Sequence, residues 1–321
     1  MSVIMPISFG IAFYVAWGIG GNNGTMAPLA GSGLTTVRRA AFLGAIMAFL
    51  GAAFLGYRVE KTIGRDLLLY GIDPIDVFIV VFSMATWSIM ASYRGWPVSA
   101  THSGVGAAIG LGLMKWGKLG VNWVLLTNIA LMWFLSPLIG LFGAMIVMRA
   151  ARHFLRKHTA GLEREMKIAR LSAVPLVMWS CVHAFSWGAN DIGTATAFLS
   201  VIYGNSLLVR IVVGLGMLLG SMVLGKRVTR SVGLKLVRLD PVMALSAEMT
   251  VAIIMLFGTL LGLPLSGTHI LVGAVIGVGS ARGIWINVKG LKQIVATWLA
   301  TFFIAIIMCV IIFLAIATFL I

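Results

Sequence analysis

Charge is what this sequence has least of: 10% of its 321 residues are charged, and only nine are acidic. Soluble domains carry about a quarter charged residues, so water is excluded as the solvent for most of this surface. Cysteine is nearly absent. Cys181 and Cys309 lie in separate apolar runs, without the paired spacing of a zinc site or a disulfide framework. Paired carboxylates, metal clusters and Ser/His/Asp sets are missing from the apolar regions beyond the residues assigned below, which argues against an enzyme. The ten-residue alternation of a membrane barrel is absent as well. The N-terminus lacks a basic region and a clean cleavage pattern, so residues 3–20 read as a retained first span.

What is there is hydrophobic: 60% of the residues, with a mean hydropathy of +1.05. Uncharged runs extend over Met1 to Val37, Trp96 to Met114, Leu119 to Met148, Met249 to Ala281 and Gln293 to Ile321. A crossing takes about 20 residues, and backbone in hydrocarbon must satisfy its own hydrogen bonds. The fold class that follows is an all-α integral membrane protein. The formal charge of +15 comes from 24 Lys and Arg. They sit in short loops between apolar spans, a pattern of orientation signals and not of a nucleic-acid-binding face.

The chain also repeats itself. Asp73-Pro74 and Asp240-Pro241 open two stretches that align at an offset of 167 residues. Each ends in a related motif: Gly95-Trp96-Pro97-Val98-Ser99-Ala100-Thr101-His102 and Gly262-Leu263-Pro264-Leu265-Ser266-Gly267-Thr268-His269. Upstream, Gly20-Gly21-Asn22-Asn23 stands against Gly188-Ala189-Asn190-Asp191. The expected organisation is a first repeat over 1–148, a basic linker over 149–170 and a second repeat over 171–321. Each half holds five candidate crossings, about ten in all. They are 3–34, 40–57, 74–94, 96–116 and 121–148, then 171–203, 206–225, 240–261, 263–281 and 291–321. An odd number per half inverts the second copy. Placing the linker in the cytoplasm puts eighteen Lys and Arg inside and six outside, and both termini outside.

Inverted repeats with interrupted apolar segments at matching positions point to a midplane site in a carrier. Ser99 and Ser266 can cap helix starts whose free N–H groups favour an anion, with Thr101 and Thr268 adding hydroxyls. His102 and His269 cap their own turns or donate to the anion, and they lack the companions of a metal site. The Asn-Asn and Asn-Asp segments read as chain breaks that coordinate a cation. Asp191 and Glu248 are the costly carboxylates there, at about 2.5 kcal/mol or more each if unpaired. His183, Trp17 and Trp187 read as packed residues.

These residues resemble the inorganic phosphate transporter family, carriers with a Gly-Ala-Asn-Asp signature and a Pro-x-Ser-x-Thr-His turn in two inverted halves. The resemblance covers nearly the whole chain. It implies phosphate uptake driven by sodium or by protons, with sulfate as the alternative substrate. It also implies a multi-pass protein of the plasma membrane working by alternating access, and it leaves a homodimer open. Ser99, Thr101, His102, Ser266, Thr268 and His269 would face the anion. Asn22, Asn23, Asn190, Asp191, Thr194 and Glu248 would serve the coupling ion, with no further cofactor. An uncoupled anion channel on the same repeats is the other reading. Three departures bear on coupling: Asn23 stands where the signature has Asp, Met26 and Thr194 stand where Asn is usual, and the second span has no acidic residue.

Overall fold

The computed structural model describes residues 4–60, 67–158, 162–203 and 207–320. Among these, β-type pairing is confined to two isolated bridges, Leu68 with Val121 and Val237 with Ile286. The helices of the first half are α1 (Ile4–Gly21), α2 (Ala27–Gly31), α3 (Val37–Leu55), α4 (Pro74–Tyr93), α5 (Ala100–Trp116) and α6 (Trp123–His158). The second half has α7 (Leu162–Leu171), α8 (Ala173–Tyr203) and α9 (Leu207–Gly220), which passes through a π turn at Ser221–Gly225 into α10 (Lys226–Lys235). Then come α11 (Pro241–Leu260), α12 (Gly267–Arg282) and α13 (Val288–Leu320).

The repeated motif folds into two matching helical hairpins. Helix α4 starts on a capping box: Asp73 accepts from the amides of Ile75 and Asp76, and Asp76 accepts from the Asp73 amide. Such reciprocal capping satisfies amides that the helix itself leaves free. Asp240 caps α11 in one direction only, accepting from the Met243 amide at 2.8 Å. Pro74 and Pro241 follow at the first helical position, where no amide is needed. Both helices end in a Schellman turn on a left-handed glycine, Gly95 at φ 71° and Gly262 at φ 70°. The bonds match: Gly95 to Ser92 and Trp96 to Ala91, Gly262 to Thr259 and Leu263 to Gly258. Only glycine takes that backbone without strain, which is why this residue recurs in both copies. At the far end of each hairpin a cation closes the pair. Lys115 reaches Asp73 at 3.1 Å and Asp76 at 2.6 Å, and Arg282 reaches Asp240 at 2.9 Å.

Among the described residues seven helices are long and apolar enough to cross a bilayer, against the ten crossings expected from sequence. Helices α5 and α12 fall short, with 17 and 16 residues. Both are buried along most of their length, Ala100 to Gly112 and Gly267 to Gly279, so other helices surround them and lipid does not. Helix α6 runs past 148 into the first part of the basic segment, to His158, where Arg, Ala, Leu and Lys are good helix formers.

The two Asn segments differ. After α1 the chain breaks between Gly21 and Ala27, as expected. The break expected at Gly-Ala-Asn-Asp is not there: α8 runs unbroken from Ala173 to Tyr203. The cause is local. Gly24 and Pro28 of the first copy are Ile192 and Thr196 in the second, and the Thr196 hydroxyl donates to the Ile192 carbonyl within the helix. A proline and a flexible glycine thus end one helix where their replacements continue the other.

The halves interleave. Helix α1 packs on α9 and α3 on α8, while α6 packs on α12 and α5 on α13. The first two crossings are close because they run through glycine. A Cβ on Gly20 would stand 1.9 Å from the Met217 carbonyl oxygen, and one on Gly51 would stand 1.8 Å from that of Phe185. Small residues at such crossings let helices associate where lipid removes the hydrophobic drive.

Candidate anion and cation site

The first turns of α5 and α12 face each other at the centre of the molecule. Ser99 caps α5, accepting from the His102 amide at 3.3 Å, and its hydroxyl shares a hydrogen bond with Thr101 at 2.8 Å. Ser266 occupies the same cap position on α12 but makes no cap bond, and its hydroxyl is buried without a partner. Thr268 reaches across, donating its hydroxyl to the Val98 carbonyl of the other turn at 3.0 Å. Buried hydroxyls and helix N-termini present donors without fixed charge, which suits an anion. Of the four hydroxyls expected to face an anion, Ser266 is the one the protein leaves wholly unengaged.

Four rings tie the turns together on one side. Trp133 stacks on His102 with centroids 3.7 Å apart, His102 lies 4.7 Å from His269, and His269 lies 3.9 Å from Trp298. The histidines therefore do not cap their turns. They are held between a tryptophan from α6 and one from α13, and His269 Nδ1 lies 3.3 Å from the Trp133 carbonyl oxygen. Trp298 donates its indole N–H to the Pro97 carbonyl at 2.8 Å.

The two leading asparagines are engaged with the turns, not open to a cation. The Asn22 amide donates to the Val98 carbonyl, and its oxygen accepts from the Val98 amide at 3.2 Å. Asn190 donates to the Leu263 carbonyl at 2.9 Å and to the Thr259 hydroxyl at 3.1 Å, and accepts from the Leu265 amide at 3.1 Å. Asn23 is also occupied. Its side-chain oxygen accepts from both the amide and the hydroxyl of Thr25, at 3.0 and 2.7 Å, and its nitrogen donates to Ser221 at 3.3 Å.

Asp191 is the exception. It is 2% exposed and makes no hydrogen bond or ion pair among the described residues. It follows Trp187 by one helical turn, so the two share a face of α8. Trp187 in turn lies against Gly267 at the start of α12, where an added Cβ would stand 2.5 Å from the indole. Thr194 lies on α8, with its side chain outside the described residues. Glu248, expected beside Asp191, is placed elsewhere. Its carboxylate meets His183 Nδ1 at 2.7 Å, both fully buried. His183 precedes Asp191 by eight residues on a continuous helix, about 12 Å along its axis at 1.5 Å per residue. Sequence reasoning missed this pair because the two are 65 residues apart with no shared motif. Arg210 is buried in α9, 3.3 Å from Glu60.

The fold and site define a multi-pass helical membrane protein with a polar centre built from two like turns. The chain belongs to the phosphate transporter family, whose sequence model matches residues 19–309. Relatives include the chloroplastic inorganic phosphate transporter 2-1 of Arabidopsis thaliana, 29% identical over 90% of this chain and 68% of its own. A putative phosphate permease of Pyrococcus furiosus is 27% identical, with 93% and 92% covered. A solved structure described as the sodium-dependent phosphate transporter superposes with a TM-score of 0.85 at 25% identity, covering 99% of this chain and 100% of that one.

Proposed function

We propose that this chain is a secondary active transporter of inorganic phosphate, coupled to a cation that binds at Asp191. The observation that carries this reading is the meeting of two like turns from the two halves, with the Ser266 hydroxyl buried and unpartnered between them. Phosphate brings acceptor oxygens to a place that offers donors. The family supports phosphate over sulfate as the substrate.

Asp191 is the carboxylate for the cation because the other candidates are engaged. Glu248 is held by His183, Asn23 by Thr25 and Ser221, and Asn22 by Val98. Sodium is the first choice of cation, following the similar solved structure. A bound cation would offset the cost of keeping that carboxylate ionised inside the bundle. The halves are taken to be inverted and the site to open alternately to each side. The plasma membrane is the proposed location, although one relative is chloroplastic by name.

Purified protein in liposomes tests this. Labelled phosphate should enter when an inward sodium gradient is imposed, and excess sulfate should compete poorly. Uptake that follows a proton gradient and ignores sodium would change the coupling ion. Uptake indifferent to both gradients would make the protein a channel.

A further inference from the structure

Asn22 and Asn190 sit at matching positions of the two halves, and each grips the backbone immediately before the serine of its own half's turn. Val98 precedes Ser99, and Asn22 bonds both its N–H and its C=O. Leu265 precedes Ser266, and Asn190 accepts from its N–H while donating to Leu263 and Thr259. A carboxamide set against a peptide group in this way fixes two backbone atoms at once. Both side chains are buried, at 2% and 0% exposure, so water does not compete for these bonds. What differs is the next residue. Asn190 is followed on an unbroken helix by Asp191, which has no partner of its own. Asn22 is followed by Asn23, whose oxygen and nitrogen are tied to Thr25 and Ser221.

We propose that Asn190 is the positioning residue that couples the cation to the anion, while Asn22 is a static latch on the other turn. This rests on the reading of Asp191 as the cation carboxylate and of the turns as the phosphate site. Asp191 and Asn190 are neighbours on one rigid helix. A cation that draws the Asp191 carboxylate toward itself therefore shifts the carboxamide that sets Leu263 and Leu265, and with them the Ser266 hydroxyl. Binding groups held in place by such support act more strongly than groups that must be ordered on binding. The first half has the same grip but no carboxylate to move it, so its turn is held whether or not a cation is present. Coupling is thus asymmetric although the anion cradle is nearly symmetric.

Coupling between two ligands is reciprocal: if sodium tightens phosphate by some factor, phosphate tightens sodium by the same factor. The test measures both affinities on purified protein, with labelled phosphate at saturating and at zero sodium, and with labelled sodium at saturating and zero phosphate. In Asn190→Ala the gain in phosphate affinity from sodium should fall toward one, and phosphate should no longer tighten sodium. Sodium alone should still bind. In Asn22→Ala phosphate should weaken by about two- to tenfold per lost bond, equally with and without sodium, leaving the coupling factor unchanged. Thr259→Val removes one Asn190 partner, together with the hydroxyl's bond to the Ser186 carbonyl, while leaving the Asn190 bonds to Leu263 and Leu265 and the Asp191 side chain in place, and should give an intermediate factor even where Asn190→Ala fails to fold. A full coupling factor in Asn190→Ala or Thr259→Val overturns the proposal, as does loss of sodium binding in Asn190→Ala, which would make Asn190 a cation ligand. Asp191→Asn separates the underlying reading. If that variant keeps sodium-dependent phosphate binding, the cation site lies elsewhere, whatever the asparagine variants show.

Discussion

At the scale of single residues, the site separates groups that are engaged from groups that wait. Ser266 keeps a buried hydroxyl that serves no internal bond, so Ser266→Ala should leave the melting temperature unchanged or slightly raised. The same substitution should weaken phosphate by about 0.5–1.5 kcal/mol, measured by equilibrium binding. Ser99, at the same place in the other half, caps its helix, and Ser99→Ala should lose stability as well, by about 1 kcal/mol. The carboxylates divide in the same manner. Asp191→Asn should abolish sodium-driven uptake while the protein still folds, whereas Glu248→Gln, which can keep a hydrogen bond to His183, should retain it. The opposite pairing of results would move the cation to Glu248. Asn23→Asp keeps the oxygen that Thr25 needs and adds the missing charge. The sodium dependence of uptake should then steepen from a Hill coefficient near one toward two.

Elements show how far the sequence could be read. The hairpin starts at Asp73 and Asp240, the glycine turns and the break after Gly21 all follow from residue types with one strong backbone preference. Even the closing pair Lys115 and Arg282 was available, since they are separated by the repeat offset itself. What was not legible depended on tertiary packing or on replacements. The helix through Asn190-Asp191 continues because Ile192 and Thr196 stand where Gly24 and Pro28 do, so motif likeness at four positions misjudged the backbone at the next five. The His102 and His269 stack depends on Trp133 and Trp298, which lie outside the aligned stretch. A substitution test belongs at this scale. Gly20→Ala and Gly51→Ala place a methyl against a carbonyl at 1.9 and 1.8 Å. Each should push its helix pair apart and destabilise the detergent-solubilised protein by several degrees in a melting scan, more than Gly10→Ala in α1, where no neighbour lies within 4 Å.

For the molecule as a whole, the distribution of basic residues predicts a cytoplasmic 149–170 segment and extracytoplasmic termini. Cysteines introduced there and labelled in intact cells should react from outside only at the termini; labelling of the segment from outside would reverse the topology. Interleaving bears on the alternating access proposed above. A repeat that rocked as one body against the other would have to part α1 from α9, α3 from α8, α5 from α13 and α6 from α12 together. Groups of helices drawn from both halves are the more economical moving bodies, with α5, α6, α12 and α13 as one such group. The row of rings from Trp133 through His102 and His269 to Trp298 spans that group from one repeat to the other. It therefore gives the molecule an optical gauge of its own motion. An indole's emission responds to an imidazole stacked at 3.7 Å, so a variant retaining Trp133 as its sole tryptophan reports whether that contact opens. If sodium and phosphate drive transport while the emission stays constant, α5 and α6 travel as one piece; a shift timed with turnover means that α5 moves against α6 within the first half.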